Sequence, residues 1–394
     1  MHEFFRAKRP WSRYKDAILG YYLDPYIPKV GTLRKPVLIV DCFAGCGMFG
    51  DGEPGSPLII APLVKKWRDK GVNVRAECVE ADPDNFRRLQ TALTPFSDCV
   101  TARNGSFEAH LTGLAERARQ NTVFLYVDPY TVKGLAFDRM RAVYDQVQRA
   151  SASVEVLLNL NVATFLRWGL AAVRRQAELP PEAAAEADYL ADDPAERVEM
   201  ATLDSIAGGG HWRDIALDPA ATFQQKVDRF TGAYLGRLVE SFPFAAAYEV
   251  KEKYEHRVPK YVLIYGTRHP DGVELMNDGM CKARRDFLGS QFRMNTLFDC
   301  TPEAEVLDTG RLRADLLGYI GGGRLTRKEL RMEVFRRHFC KYQMKDINAV
   351  VGELLRAGRL FSETGKSKIN DKVLLSAGPF GQPTSPPGGR GRTG

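Results

Sequence analysis

Short apolar runs alternate with helix-length segments from residue 37 to about residue 160, and this alternation limits the possible folds more than any other feature of the chain. The apolar runs fall at residues 37–40, 74–79, 99–102, 123–127 and 154–158. Strands that are separated by helices of this length lie parallel in one sheet and are joined by right-handed crossovers. Two later runs, at 245–250 and 261–266, predict an antiparallel pair that closes the sheet. The sequence therefore predicts an α/β, Rossmann-like fold.

Composition and pattern divide the 394-residue chain further. Residues 1–36 are expected to form a helical segment, and residues 37–290 the sheet domain, with a helical insertion at 160–240. Residues 305–377 read as helices followed by a strand, a turn and a strand, which predicts a winged helix. The tail, residues 379–394, is rich in Pro, Gly, Ser and Arg and is expected to be disordered.

A glycine-rich loop follows the first predicted strand, where residues 41–57 read Asp-Cys-Phe-Ala-Gly-Cys-Gly-Met-Phe-Gly-Asp-Gly-Glu-Pro-Gly-Ser-Pro. Gly45 and Gly47 have no Cβ and tolerate a positive φ, so a ligand can approach the backbone closely. Open α/β sheets bind their cofactors at this place, beyond the carboxyl end of the strand. An ordinary turn between a strand and a helix could have the same composition. The loop lacks the Lys-Ser/Thr end of a triphosphate-binding loop, which favours a nucleoside over a triphosphate.

Polar residues also follow the second and third predicted strands. Glu80 can accept hydrogen bonds from both ribose hydroxyls of a nucleoside cofactor, or it can be a surface carboxylate. The turn at 104–107, which contains Gly105 and Ser106, can flank an adenine ring, although Asn-Gly is also a plain turn. Both positions are candidate cofactor contacts.

The Asp128-Pro129-Tyr130 motif follows the fourth predicted strand. Its carboxylate can accept a hydrogen bond from an amino group, its proline holds the backbone rigid, and its tyrosine can stack on a planar base. An amino nitrogen on an aromatic ring is a poor nucleophile, so a site of this kind works by positioning the nitrogen. A strand exit with a buried tyrosine is the alternative interpretation.

The Asp-Cys-Phe-Ala-Gly-Cys-Gly segment resembles motif I of class I S-adenosylmethionine-dependent methyltransferases. Other segments resemble the three-Cys-motif partner protein family. They are the stretch from Lys15 to Tyr26, Gly55-Ser56-Pro57, Asp128-Pro129-Tyr130, and the stretch from Lys260 to Pro270. The resemblance covers roughly residues 12–290. It implies the class I fold and S-adenosylmethionine as the cofactor, and it makes Lys15 and Tyr26 candidate contacts of a substrate or nucleic acid.

The same motifs are also similar to bacterial ribosomal-RNA adenine-N6 methyltransferases. That resemblance implies that Asp128 holds the target amino group and that Ser56 caps a helix near the carboxylate of the cofactor. It implies a cofactor pocket shaped by Asp41, Phe43, Ala44, Gly45 and Gly47. This chain has one proline where those enzymes have two, which changes the backbone carbonyl that faces the substrate.

The formal net charge of +7 is mildly basic and fits a polyanionic partner without requiring one. Candidate phosphate contacts in the predicted winged helix are Arg327, Lys328, Arg331, Lys366 and Lys368. A winged helix that binds protein could carry the same basic face. Arg167, beyond the fifth strand, is a further candidate contact or an ordinary surface residue.

The seven cysteines are scattered and do not show the spacing of a zinc site, so we expect reduced thiols and no metal. The N-terminus has no apolar signal core, and no run approaches the roughly 20 apolar residues of a membrane span. These observations predict a cytoplasmic protein without a membrane partner.

The favoured function is methyl transfer from S-adenosylmethionine to a nucleic acid, RNA or DNA, at a base amino group with adenine-N6-like chemistry. One alternative is an enzyme that methylates a small amine or a protein. The other is a non-catalytic module of the same fold that acts beside a partner protein. The sequence leaves the oligomeric state open.

Overall fold

The computed structural model describes residues 7–129, 136–149, 153–177, 199–251, 256–295 and 307–379. The chain divides into two compact units, Met1–Gly272 and Val273–Gly394. The elements that begin in the first unit are α1 (Pro10–Gly31), β1 (Val37–Asp41), α2 (Ser56–Asp69), β2 (Val74–Glu80), α3 (Pro83–Leu93), β3 (Val100–Asn104), α4 (Phe107–Ala118), β4 (Thr122–Val127), α5 (Phe137–Arg149), β5 (Val154–Leu160), α6 (Val162–Ala177), α7 (Met200–Ala207), α8 (Trp212–Leu217), α9 (Phe223–Leu238), β6 (Phe244–Val250), β7 (Tyr261–Thr267) and α10 (Pro270–Asn295).

The first unit is built on a seven-stranded sheet in the order β3-β2-β1-β4-β5-β7-β6. Strands β1 to β5 pair in parallel, whereas β7 runs antiparallel to both β5 and β6. The predicted antiparallel pair therefore does close the sheet, with β7 placed between β5 and the edge strand β6. This strand order is that of the class I methyltransferase Rossmann-like fold, and the predicted fold class is confirmed.

The three central strands, β1, β4 and β5, are buried at every position. A strand that is covered by helices on both faces needs apolar side chains on both, which explains the continuous apolar runs in the sequence. Polar exceptions on these strands are Asp41 on β1, Thr122 on β4, and Glu155 and Asn159 on β5, all buried. Two of the four, Asp41 and Asn159, lie near the carboxyl ends of their strands.

The chain between β5 and β6 is helical where it is described, as the predicted insertion requires. Trp212, at the start of α8, is fully buried in the main apolar cluster of the unit, and its indole nitrogen donates to Asp204 at 2.9 Å. The alanine- and acid-rich stretch 178–198 lies outside the described residues.

The second unit contains most of α10, followed by α11 (Thr309–Ile320), β8 (Arg324–Thr326), α12 (Arg327–His338), α13 (Met344–Arg356), β9 (Phe361–Ser362) and β10 (Leu374–Ser376). Its sheet has the antiparallel order β8-β10-β9. This succession of helices and strands from α11 onward is the one expected of a winged helix. The predicted tail from residue 380 lies outside the described part of the chain.

The division at residue 272 differs from the domain end at 290 that the sequence suggested. Helix α10 crosses this point without a break, but its residues from Val273 onward bond within the second unit. Asn277 donates to the Tyr342 carbonyl at 2.8 Å and accepts from the Cys340 amide at the same distance. A continuous helix gives no sequence signal at such a boundary.

Candidate active site

The site lies at the carboxyl ends of three neighbouring strands. Asp41 ends β1, Asp128 directly follows β4, and Asn159 is the last but one residue of β5. The pairing of Val127 with Leu158 places Asp128 and Asn159 side by side. Ligands of open α/β sheets bind at this edge.

Asp128 is surrounded by donors. The Lys15 ammonium lies 2.8 Å from its Oδ1 and 2.7 Å from its Oδ2, and Asn159 Nδ2 donates to Oδ1 at 2.6 Å. The Tyr126 hydroxyl donates to Oδ2 at 3.1 Å. Two carboxylate oxygens offer about four acceptor positions, so these contacts fill the acceptor capacity of Asp128.

Lys15 is buried although it is charged, with a side chain only 7% exposed. Its ammonium also lies 4.7 Å from the centre of the Tyr261 ring, within the range of a cation–π contact. Burial is the largest single effect and lowers the pKa of Lys15, but Asp128, Tyr261 and Asp16 together outweigh it and the pKa is raised overall. Lys15 therefore remains an ammonium ion.

A second lysine fixes the glycine-rich loop from the same side. Lys8 Nζ donates to the Pro54 carbonyl at 2.6 Å and forms an ion pair with Asp16, and its backbone amide donates to Asp51 at 2.8 Å. Burial raises the pKa of Asp16 to about 6, against the opposing effect of Lys8. Lys8 and Lys15 thus connect the start of α1 to both sides of the site.

The glycine-rich loop passes between the ends of β2 and β4. The Ala44 amide donates to the Val79 carbonyl at 2.8 Å, and the Gly45 amide donates to Glu80 Oε2 at 2.8 Å. Gly45 and Gly47 have φ of 64° and 80°, as the sequence predicted for a turn that only glycine forms easily. A Cβ on Gly47 would also lie 3.2 Å from the Ala92 Cβ.

Glu80 is buried, and both of its carboxylate oxygens receive backbone amides. Oε2 accepts from Gly45, and Oε1 accepts from Asp82 at 2.8 Å. Burial raises the pKa of Glu80, and these amides oppose the shift. The predicted ribose contact of Glu80 thus competes with bonds that hold the loop to the end of β2.

Asp41 is the least satisfied acid of the site. It is fully buried, the Phe43 amide reaches its Oδ1 at 3.4 Å, and Oδ2 has no hydrogen-bond partner among the described residues. Burial raises the pKa of Asp41 to about 7, and the charges of Asp128 and Asp16 add to the shift. Buried oxygens without partners are rare and point to a missing donor.

Ser56 does not cap α2, which corrects the role carried over by resemblance. The N-cap of α2 is Gly55, and Ser56 is the first helical residue. Its hydroxyl instead lies close enough to Asp41 to oppose the rise in the pKa of that carboxyl. A Cβ on Gly55 would lie 3.2 Å from the Gly47 carbonyl oxygen, a tight contact that favours glycine at this position.

The turn after β3 stays near Glu80. The Gly105 amide donates to the Glu80 carbonyl at 3.0 Å, and Gly105 has φ of 133°. The Ser106 hydroxyl caps α4 by accepting from the Ala109 amide. Phe107 is buried with its ring centre 5.6 Å from that of half-buried Phe43, so Phe107 packs in the core.

Tyr26 lies away from the site, and its prediction as a substrate contact is wrong. It is buried, and its ring packs against those of Tyr22 and Phe124. Phe124 precedes Asp128 by four strand positions, or roughly 13 Å. Pro129 is half-buried beside Asp128, whereas Tyr130 lies outside the described residues.

Two of the predicted phosphate contacts on α12 are internal. Arg331 is buried between Asp371 and Glu274, with bonds of 2.7 to 3.0 Å, and Arg327 donates twice to Asp371. Hydrogen bonds from Arg331 hold the pKa of Asp371 well below its usual range. Arg331 is thus a structural cation, and its prediction as a nucleic-acid contact is wrong.

The other basic candidates are more exposed to solvent or pack against an aromatic ring. Lys366 and Lys368 are exposed in the turn between β9 and β10, and Lys328 is half-buried on α12. Arg167 lies with its guanidinium 5.9 Å from the centre of the Phe223 ring, and burial lowers its pKa. The contacts that these residues make with a substrate remain predictions.

Four contributors to the site were missed from the sequence: Lys8, Asn159, Tyr126 and Tyr261. Asn159 had a detectable signal, because a polar residue near the end of an apolar strand is expected to face a ligand. Tyr126 and Tyr261 had none, since aromatic residues in strands are ordinary core residues.

Within the described part of the chain, no three His, Cys, Asp or Glu side chains are grouped so that they could bind a metal ion. Among the helices that the structure describes, none combines the length and the apolar composition needed to cross a membrane.

The chain matches no protein-family model and no curated protein. Among solved structures it is similar to a Legionella pneumophila protein of family-model DUF519, at 9% identity and a TM-score of 0.40, over 68% of this chain and 91% of the other. It is also similar to an O-methyltransferase from Bacillus cereus in complex with SAH, at 14% identity and a TM-score of 0.30, over 63% and 80%. It is similar as well to a putative caffeoyl-CoA O-methyltransferase from Staphylococcus aureus, at 10% identity and a TM-score of 0.29, over 62% of this chain and 82% of the other. The strand order, rather than these overlaps, assigns the fold.

Proposed function

We propose that this protein transfers a methyl group from S-adenosylmethionine to an amino group on a nucleic-acid base. The observation that carries the proposal is the amine already held at the site. The Lys15 ammonium contacts both oxygens of Asp128 at the sheet edge where this fold binds ligands. A carboxylate that binds an amine of its own chain can bind the amino group of a substrate in the same position.

The residues around the glycine-rich loop fit a positively charged nucleoside cofactor. Asp41 Oδ2 is a buried acceptor without a partner, and a nearby cation would favour its ionised form. Gly45 and Gly47 keep the loop free of side chains, and Glu80 is the acceptor at the end of β2. When bound, the cofactor supplies an electrophilic methyl group.

The chain's own residues supply position rather than strong acid–base chemistry. Asp128 accepts an N–H hydrogen of the amino group and orients the nitrogen lone pair. Asp128 is also the proposed acceptor of the proton that the nitrogen loses. Because its acceptor positions are filled, the substrate must displace a donor, and Lys15 is the one that occupies both oxygens.

The charge distribution favours a polyanionic substrate. Residues 307–379 contain 15 Lys and Arg against 8 Asp and Glu, a net charge of +7 that equals the net charge of the whole chain. A basic unit of this kind supplies the electrostatic, sequence-independent part of nucleic-acid binding. The exposed Lys366 and Lys368 remain the proposed phosphate contacts there.

The test is transfer of a tritiated methyl group to total RNA, genomic DNA and protein extract in parallel. Asp128→Ala should abolish transfer and leave S-adenosylmethionine affinity, measured by calorimetry, within about threefold of wild type. Since that variant leaves Lys15 without its carboxylate, the double variant Lys15→Met/Asp128→Ala serves as a control for folding. Undiminished transfer by both variants would contradict the role of Asp128, and a wild type that binds no cofactor would contradict the enzyme.

A methyltransferase of protein or small aliphatic amines is the second candidate. The position of Lys15 favours this candidate, because its aliphatic ammonium group lies between Asp128 and the Tyr261 ring. Label in the protein fraction alone would select it. We also propose that the chain belongs to the three-Cys-motif partner protein family. A non-catalytic partner role is the remaining alternative, and it would be selected if the protein binds no cofactor.

A further inference from the structure

Asn159 has one amide atom in use and the other without a partner. Its Nδ2 donates to Asp128 Oδ1 at 2.6 Å. A carboxylate paired with an ammonium ion can only accept, so the nitrogen must face Asp128 and the oxygen must point elsewhere. That oxygen, Oδ1, is buried and has no hydrogen-bond partner among the described residues.

Such an acceptor is costly unless something pairs with it. An unsatisfied buried polar atom destabilises a fold by about 1–3 kcal/mol. A leucine would fill a similar volume on β5 without that penalty. The asparagine therefore places an acceptor beside Asp128 at an energetic cost, at the edge of the sheet where the proposed substrate binds.

A primary amino group on a ring has two hydrogens and needs two acceptors. Asp128 receives Lys15 through both oxygens, and Tyr126 and Asn159 through one each. If the substrate replaces Lys15, the two N–H bonds of its planar amino group point in different directions, so Asp128 can accept only one of them with near-linear geometry and the other must find a different oxygen.

We propose that Asn159 Oδ1 is the second acceptor of the substrate amino group and makes the site selective for primary amino groups. This inference rests on the proposed function. A hydroxyl has a single hydrogen and leaves Oδ1 unpaired, as does an amino group that already carries one methyl. The site thus discriminates against hydroxyl substrates and against its own monomethylated product. Asn159 Oδ1 is buried, and Lys15 occupies the neighbouring carboxylate, so the amino group must displace Lys15 from Asp128 to bind both residues.

The experiment compares adenosine monophosphate with two analogues as binding probes. Purine riboside monophosphate lacks the amino group, and N6-methyladenosine monophosphate has one N–H in place of two. Affinities are measured by titration with NMR detection for wild type, Asn159→Leu and Tyr126→Phe. The tyrosine variant is the matched control, because it removes a donor to Asp128 without removing an acceptor.

Wild type should prefer adenosine monophosphate over both analogues, and Asn159→Leu should reduce this preference about tenfold, the value of one hydrogen bond. Tyr126→Phe should keep it within about threefold. Cofactor affinity and the melting curve report whether Asn159→Leu is folded, and Asn159→Asp, which keeps an acceptor, should retain more of the preference. An unchanged preference in Asn159→Leu, or an equal loss in Tyr126→Phe, overturns this inference alone. A wild type without any preference overturns the proposed base amino substrate and the inference with it.

Discussion

The buried carboxyl of Asp41 gives the clearest quantitative prediction. Its pKa is raised from 3.8 to about 7, so between these values the folded state binds a proton that the unfolded state has released. Stability is then lost as the pH rises from about 4 to 7, and the full loss persists above pH 7. At 1.36 kcal/mol per pKa unit, the loss is at most about 4 kcal/mol.

Asp41→Asn removes this titration. Relative to wild type, the variant should gain about 3 kcal/mol of unfolding free energy between pH 5 and pH 8.5, the part of the window that is convenient to measure. Over the same interval its melting temperature should rise relative to wild type by about 6–12 °C. Subtraction of wild type from variant cancels the titration of more distant groups.

Tryptophan fluorescence during urea unfolding is the appropriate assay, because it reports only the unit that contains Asp41. All four tryptophans lie in that unit, at Trp11, Trp67, Trp168 and Trp212. Asp51→Asn is the control for sign, because an amide hydrogen bond from Lys8 lowers the pKa of that exposed carboxyl. A stability difference between Asp41→Asn and wild type that stays constant within about 0.5 kcal/mol would refute the burial argument.

Three further predictions concern the charged side chains. Lys15→Met should lower the apparent KM for an amino substrate several-fold, because no ammonium ion then competes for Asp128. A large fall in kcat at constant KM would instead mean that Lys15 stabilises the transition state. Arg331→Met should destabilise the second unit by about 3–5 kcal/mol, seen as an earlier far-UV circular dichroism transition, and added Glu274→Gln should restore most of it, since the loss comes from an unpaired buried charge. Replacing Lys366 and Lys368 with alanine should reduce the salt dependence of RNA or DNA affinity by up to about two units of slope, whereas Lys65→Ala, on the other unit, should not; equal slopes for all three proteins would remove the turn from the binding surface.

The fold was predictable from the sequence because its central strands are buried on both faces. Continuous apolar runs such as 123–127 alternate with helix-length segments, and this pattern predicts strands that are buried on both faces. Right-handed connections through the helices then place these strands parallel in one sheet. The position of β7 between β5 and β6 was not predictable, because strand order at a closing pair depends on packing. The boundary inside α10 was not predictable either, because a continuous helix gives no sequence signal where one unit ends.

The site was predictable only in its local parts. Gly45, Glu80 and Asp128 follow strands, and backbone topology brings strand ends together. The partners of Asp128 come from a helix that begins 118 residues earlier and from a neighbouring strand, and no short-range pattern encodes such contacts. Arg331 was predicted to contact nucleic acid because it lies in a basic segment. It is instead buried and paired with carboxylates that are distant in sequence.

The attachment of Lys8 and Lys15 has an energetic consequence. One short stretch of chain holds the 51–54 loop through Lys8 and the acceptor carboxylate through Lys15, seven residues later. A substrate that displaces Lys15 disturbs the stretch that also anchors the loop, so the free energies of ligand binding at the two places are linked. Linkage of this kind is reciprocal, since a cofactor that tightens or loosens the loop must change substrate affinity by the same factor. If the start of α1 couples the two halves of the site in this way, each ligand changes the affinity of the other in the same direction, so that both bind more tightly or both bind less tightly to the already occupied protein.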